Sequence, residues 1–347
     1  MTGYRRTTFL VLRIAIGVGL LAYLGSSGVI DWSALLGLLV AWPVTLIAFL
    51  LVLIDMVVTA WRLCLLFRPR GLHLSVVSSV RLTLIGTFFN ACLPGSSGGD
   101  LVKIYYASAG NHGRRTEVAT IMVLDRIVGM LVLLLWPLAF APFFPELIAS
   151  SKALRLLLWG AAAMAAVTTA TMLIALSTTV RHSRLIALLV TKIPMGVYAE
   201  RVLNTVHQYR HNRLTLLAAT AVTMLAHTIA IGATLLIATA ASPGGAAREM
   251  VILIPIGFMA NVVPVTPGGL GVGEAAFDAL FAIAGLSGGA VVLLGWRLLL
   301  LVVGLLGLAL YLQGQRRLVE AVPAVDAEGA VPDRSGERLR LSSAAES

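Results

Sequence analysis

Two hydrophobic stretches of this chain are interrupted in the same way, and the interruptions constrain what it can fold into. The first runs Phe88-Phe89-Asn90-Ala91-Cys92-Leu93-Pro94-Gly95-Ser96-Ser97-Gly98-Gly99-Asp100. The second begins Phe258-Met259-Ala260-Asn261, passes Pro264 and Pro267, and ends Gly268-Gly269-Leu270-Gly271-Val272-Gly273-Glu274. Each reads aromatic, Asn, Pro, Gly-Gly, carboxylate. Proline removes a backbone donor and glycine relaxes the chain, so a helix stops at both places. The surrounding sequence is 59% hydrophobic and 12% charged, far from the roughly 25% charge of a soluble domain. At membrane depth a stopped helix strands its polar backbone groups unless protein or a wet cavity meets them. Two such breaks at matching places in two halves mark the substrate site of a transporter.

The remaining hydrophobic runs supply about six spans, at roughly 8–25, 43–66, 118–141, 154–177, 214–241 and 289–313. Each is near the ~20 residues that cross a bilayer. The broken stretches cover 82–99 and 250–285. Loop charge sets direction. Arg5 and Arg6 place the N-terminus inside, and the loop 26–42, with Asp31 alone, lies outside. Arg62, Arg68, Arg70 and Arg81 precede the first break, and Lys103, Arg114 and Arg115 follow it. Both flanks are therefore cytoplasmic, and the first broken stretch enters and returns as a hairpin. The loop 142–153 is outside and the basic stretch 181–213 inside. The last span must end inside at Arg316 and Arg317, so the second hairpin enters from the opposite face. A rival with both broken stretches crossing fully places a basic loop outside.

The expected fold is thus an all-α polytopic membrane protein with two re-entrant hairpins in an inverted repeat. Residues 1–317 form the membrane domain, with halves of about 8–145 and 150–317. Residues 318–347 lack an apolar period and read as a disordered tail. Both termini face the cytoplasm from the cell membrane. Leu185, Ile186, Leu188, Leu189 and Ile193 suit either an interfacial helix or a linker. No cleavable leader is expected, because no small-residue cleavage site follows the first apolar run.

Intramembrane charges are the candidate functional groups. Arg126 follows Asp100 by 26 residues, and Arg297 follows Glu274 by 23. Each half therefore carries a hairpin carboxylate and an arginine on the next span. Guanidinium matches phosphate with paired donors, so the arginines are candidate ligands for a lipid phosphate. The alternative is internal pairing, Arg126 with Asp125 or Asp100 and Arg297 with Glu274. Gly98, Gly99, Gly268, Gly269 and Gly271 either aim backbone N–H groups at an anion or permit close packing. Asn90 and Asn261 bond carbonyls freed at the breaks or reach a headgroup. Asp55 is a coupling site or the partner of a buried arginine. Asp100, Glu274 and Asp125 are the other gating or coupling candidates. Arg13 is expected to snorkel to the surface. Arg62, after Trp61, reads as an interfacial anchor, and His227 as a group bonding a neighbouring helix.

No Cys/His cluster has metal-ligand spacing, no phosphate-binding loop is present, and Cys64 and Cys92 make no disulfide framework, so no cofactor is expected. The net charge of +10 lies in loops suited to an anionic leaflet rather than to nucleic acid.

Together these motifs, Asn90-x3-Pro94-Gly95-x2-Gly98-Gly99-Asp100, Asp125-Arg126 and Pro267-Gly268-Gly269-x-Gly271-x2-Glu274, resemble the lysylphosphatidylglycerol synthase transmembrane (flippase-like) family over about residues 5–317. The resemblance implies movement of an anionic phospholipid, or a polyprenyl-phosphate-linked lipid, between leaflets. In that family aminoacyl transfer belongs to a separate soluble domain. About thirty residues follow the last span here, so the transferase activity is not carried over and no enzyme is expected. A different class of reading is a membrane component or scaffold of a cell-envelope glycolipid pathway, working with a separately encoded transferase.

Overall fold

The computed structural model describes residues 32–72, 74–92, 98–109, 111, 114–177, 205–207, 209–241, 248–260 and 269–320. Among these residues there are helices and no strands. The expected first span, Arg13, Asn261, Gly268, the stretch 185–193 and nearly all of the tail lie outside them. Residues 1–308 belong to one compact unit. The other, Ala309–Ser347, contributes to the described residues only the last turns of its helix.

Five described helices are long and apolar enough to cross a membrane. They are α2 (Trp42–Phe67, extended by a 3-10 turn to Arg70), α5 (Arg115–Phe140), α7 (Lys152–Leu176), α8 (Arg213–Ala241) and α11 (Gly289–Glu320). Their sequences are long apolar runs with helix-stop signals at the ends. Gly71, at φ 60°, closes α2, and Ser151 starts α7 by accepting from the Leu154 N–H at 3.3 Å.

The broken stretches are helical hairpins. The first is α3 (Val76–Cys92) and α4 (Gly98–Ala109), the second α9 (Met250–Ala260) and α10 (Val272–Ile283). The arms have 17, 12, 11 and 12 residues, all short of the ~20 that span.

The expected loop 26–42 is corrected: residues Trp32–Val40 form helix α1. Its apolar sequence contains no turn signal, and Thr45 of α2 donates to the Leu38 carbonyl at 2.7 Å, holding the two helices at the Ala41 junction. A short helix α6 (Pro145–Ser150) lies between α5 and α7.

The two hairpins open at opposite ends of the bundle. Near one end Leu66, Phe67, Leu74, Ala107, Val118, Tyr209 and Leu216 pack together. Arg70 and Arg114 both pair with Glu117 there, at 2.7 and 2.6 Å, and the Tyr209 hydroxyl donates to the Leu66 carbonyl. This basic end holds both termini of the α3–α4 hairpin. At the other end Phe144, Leu154, Ile252, Leu280 and Ile283 pack together, and Arg248 donates to the Phe143 carbonyl at 2.6 Å. That end holds the outer ends of α9 and α10.

Small residues bring the helices close, because packing rather than hydrophobic burial joins helices in lipid. A Cβ on Gly307 of α11 would lie 2.1 Å from the Leu84 carbonyl oxygen of α3, and one on Gly257 of α9 would lie 2.5 Å from the Phe277 ring of α10.

Candidate functional site

The first hairpin carries its carboxylate to mid-depth. Asp100 lies in the first turn of α4, where the helix dipole favours an anion. Its Oδ2 is 3.0 Å from Nε of Arg126, halfway along α5. Arg126 is the twelfth residue of that span, about 16 Å from the basic end at ~1.5 Å per residue. The Arg126 side chain is 42% exposed and that of Asp100 28%.

The hairpin tip is drawn tight around this pair. A Cβ on Gly99 would stand 2.0 Å from the Gly86 carbonyl oxygen, so α3 and α4 touch backbone to backbone. The Gly99 N–H donates to Asn90 Oδ1 at 2.8 Å. Gly99 therefore serves close packing, and its N–H is spent internally rather than aimed at an anion. Asn90 Oδ1 thus satisfies an N–H freed at the break. Gly98 is buried beside it.

Lys103 is a functional candidate that sequence reasoning placed wrongly. It reads as a cytoplasmic loop charge, yet it lies one turn after Asp100 on α4. Its stem crosses Gly86 of α3, where even a Cβ would meet the Lys103 Cε at 2.4 Å. Its ammonium is near enough to feel the charges of Asp100, Asp125, Arg62 and Arg126. The signal available in the sequence was the i, i+3 spacing of Asp100 and Lys103, which places both on one face.

Asp125 faces away from its neighbour Arg126, since adjacent helix positions point about 100° apart. Its partner is Arg62 of α2: Nε and Nη2 donate to the two carboxylate oxygens at 2.7 and 2.8 Å. Arg62 Nη1 also donates to Thr223 of α8 at 3.1 Å. Arg62 is 7% exposed. This corrects its reading as an interfacial anchor: Trp61 is turned outward, while Arg62, one position on, is turned inward to tie three helices together. His227 of α8 joins the same region through the Gly129 carbonyl at 3.1 Å, bonding a neighbouring helix as expected.

The second hairpin makes the matching pair under different conditions. Glu274 Oε1 is 2.8 Å from Arg297 Nε of α11, and the Glu274 side chain is fully buried. Glu274 also accepts from the Gly271 N–H at 2.7 Å, and Arg297 donates to the Gly269 carbonyl at 2.9 Å. Gly269 and Gly271 adopt φ of 72° and 79°, a turn that side chains resist. So Gly269 turns its oxygen toward a cation, and the Gly271 N–H serves an internal carboxylate. Asp55 of α2 is buried, and no described residue forms an ion pair with it. No cluster of metal-ligating side chains occurs among the described residues.

The structure thus brings together Asn90, Gly98, Gly99, Asp100, Lys103 and Arg126 at one centre, and Gly269, Glu274 and Arg297 at another. Asp125 supports the first through Arg62.

No curated protein and no solved structure matches the chain. A family model described as the lysylphosphatidylglycerol synthase TM region matches residues 10–307. With opposed helical hairpins, a charge pair at each tip and a family match over most of its length, the chain belongs to the lysylphosphatidylglycerol synthase TM-region family.

Proposed function

We propose that this protein is a lipid carrier that moves a phosphate-bearing lipid between the leaflets of the cytoplasmic membrane, with Arg126 holding the phosphate. The observation behind this reading is the half-exposed Asp100–Arg126 pair at mid-span depth on a re-entrant tip. A guanidinium at that depth costs about 2.5–3.5 kcal/mol to insert, and a pair left accessible invites exchange of one anion for another. An arriving phosphate takes the Arg126 donors from Asp100, loosening α4 from α5. Lys103 adds a second cation at the same centre. The Glu274–Arg297 pair, buried and tied to Gly269 and Gly271, fixes the second tip instead.

The halves act as inverted copies, with the basic end cytoplasmic. The hairpins open at opposite ends; the first tip shifts as its pair exchanges, while the second, held by Glu274 and Arg297, stays fixed as the other wall of the mid-depth site. Protein chemistry on the lipid is not part of this reading.

Reconstitution in vesicles containing a fluorescent phosphatidylglycerol, quenched from outside, tests it. The wild-type protein should raise the rate of lipid exchange between leaflets, and Arg126→Gln should return it to that of protein-free vesicles. Arg126→Lys should recover part of the rate, because an ammonium keeps the charge but loses the planar two-point match. Normal movement by the glutamine variant would show that Arg126 holds no headgroup.

A further inference from the structure

A lipid headgroup held at Arg126 brings hydrocarbon tails that need apolar walls. Two cavities, of about 540 and 490 Å3, lie along α5 and α7. Both are within the ~300–1,000 Å3 typical of ligand sites. The first is walled by α5 and α7 on one side and by the second hairpin on the other, through Met130, Leu156, Gly160, Met259 and Ala279. The second continues toward the basic end through Thr116, Val123, Ile127, Val167 and Thr171.

The two cavities follow one stripe. On α7, residues 153, 157, 160, 164, 167, 171 and 175 recur at helical period and line them in turn. On α5, residues 116, 123, 127, 130 and 134 do the same. From Ala153 to Ala175 the stripe is about 33 Å long at ~1.5 Å per residue, close to the ~30 Å hydrocarbon core.

The lining is apolar even where threonines occur. Thr120 and Thr171 return their hydroxyls to the Thr116 and Val167 carbonyls at 2.7 and 2.8 Å, so those two hydroxyls are spent on their own helices. Arg126 lines neither cavity, but on α5 it stands about one turn from Val123 of the second and from Met130 of the first, so its helix position borders the stripe where one cavity gives way to the other.

We infer that this α5–α7 groove is a binding track for one hydrocarbon chain of the carried lipid, occupied while its phosphate is at Arg126. The occupant follows from Arg126 bordering the stripe on α5 and from a length matched to the membrane: an acyl or prenyl chain meets apolar walls while its phosphate meets a guanidinium one helical turn away. Because the track reaches both ends of the bundle, the chain can remain covered as the headgroup passes the midpoint. The inference rests on the proposed carrier function for its purpose, but not for its test.

Reconstitute the full chain with phosphatidylglycerol bearing a photoreactive diazirine at the end of one acyl chain, irradiate, and map adducts by mass spectrometry. Adducts should concentrate at Met130, Leu156 and Met164 over Trp159 and Leu173, which lie on α7 outside the groove and, at 74% and 63% exposed, are no less accessible than Leu156 and Met164 at 62% and 55%. Gly160→Phe projects a ring into the groove from a Cβ that meets nothing within 4 Å. It should abolish groove adducts, leave the melting temperature unchanged, and slow long-chain more than short-chain lipid movement.

Equal labelling of groove and outer positions, or Gly160→Phe with unchanged labelling, would overturn the track. So would a mass measurement showing a dimer that Gly160→Phe dissociates, since a second copy would then fill the groove. Groove labelling by a wild-type protein that moves no lipid would keep the track and reject the carrier function.

Discussion

At the residue scale, the two carboxylate–arginine pairs share a sequence pattern but not an environment, and the difference assigns their roles. Glu274 is fully buried, with Arg297 19% exposed; Asp100 and Arg126 are 28% and 42% exposed. Breaking a buried pair strands a charge and costs about 3–5 kcal/mol, whereas an accessible pair contributes roughly 0–1. Thermal melts in detergent should show Glu274→Gln strongly destabilising, with most of the loss recovered when Arg297 is also replaced by Leu. Asp100→Asn should melt within about 1 kcal/mol of wild type and show little coupling to Arg126→Gln, yet lose lipid movement. Equal couplings at the two pairs would remove the division between a fixed tip and an exchanging one. Spacing offered Glu274 for Arg297 and either Asp125 or Asp100 for Arg126, because a hairpin and the following span must meet; it did not choose between the two aspartates. The Arg62–Asp125 pair was not readable from spacing: its partners are 63 positions apart, and their meeting depends on the rotation of α2 against α5. Charge alone assigned Lys103 to a loop, since a count of basic residues carries no information about where a re-entrant arm ends.

At the element scale, the first hairpin depends on a backbone contact that only glycine allows. Gly99→Ala sets a Cβ against the Gly86 carbonyl, which cannot move aside without parting α3 from α4. Overpacking of this kind costs about 1–3 kcal/mol, read as an earlier detergent melt, and lipid movement should fall with it. Gly86→Ala differs, because its Cβ meets the flexible Lys103 stem. The melt should stay near wild type while lipid movement changes, as the ammonium is displaced from Asp100 and Arg126. If Gly86→Ala melts as early as Gly99→Ala, the Lys103 stem is packed too rigidly to be displaced. The existence and bounds of α2, α5, α7, α8 and α11 were legible from apolar length, and the hairpins from their Pro-Gly breaks. Helix α1 escaped because the loop assignment weighed charge and not the unbroken run from Trp32 to Val40.

At the scale of the molecule, the two hairpins enter from opposite ends, and this is what makes a carrier physically reasonable. A headgroup entering from either side meets a short helical tip rather than a continuous wall. On the proposed reading, only the first, exchanging tip must shift for the mid-depth site to change sides. The loop-charge rule predicts that the basic end, carrying Arg68, Arg70, Arg114, Arg115 and Arg213, faces the cytoplasm. Impermeant thiol labelling of intact cells reads the arrangement directly, with Cys64 and Cys92 replaced by Ser. Ser287→Cys, exposed between α10 and α11, should label from outside, whereas Ser78→Cys, exposed at the start of α3, should label only after permeabilisation. Labelling of Ser78→Cys alone reverses the orientation but keeps the opposed entry. Labelling of both from outside is incompatible with hairpins opening at opposite ends. It would leave the Asp100–Arg126 site with access from one leaflet, and a site reached from one leaflet binds lipid but cannot carry it across.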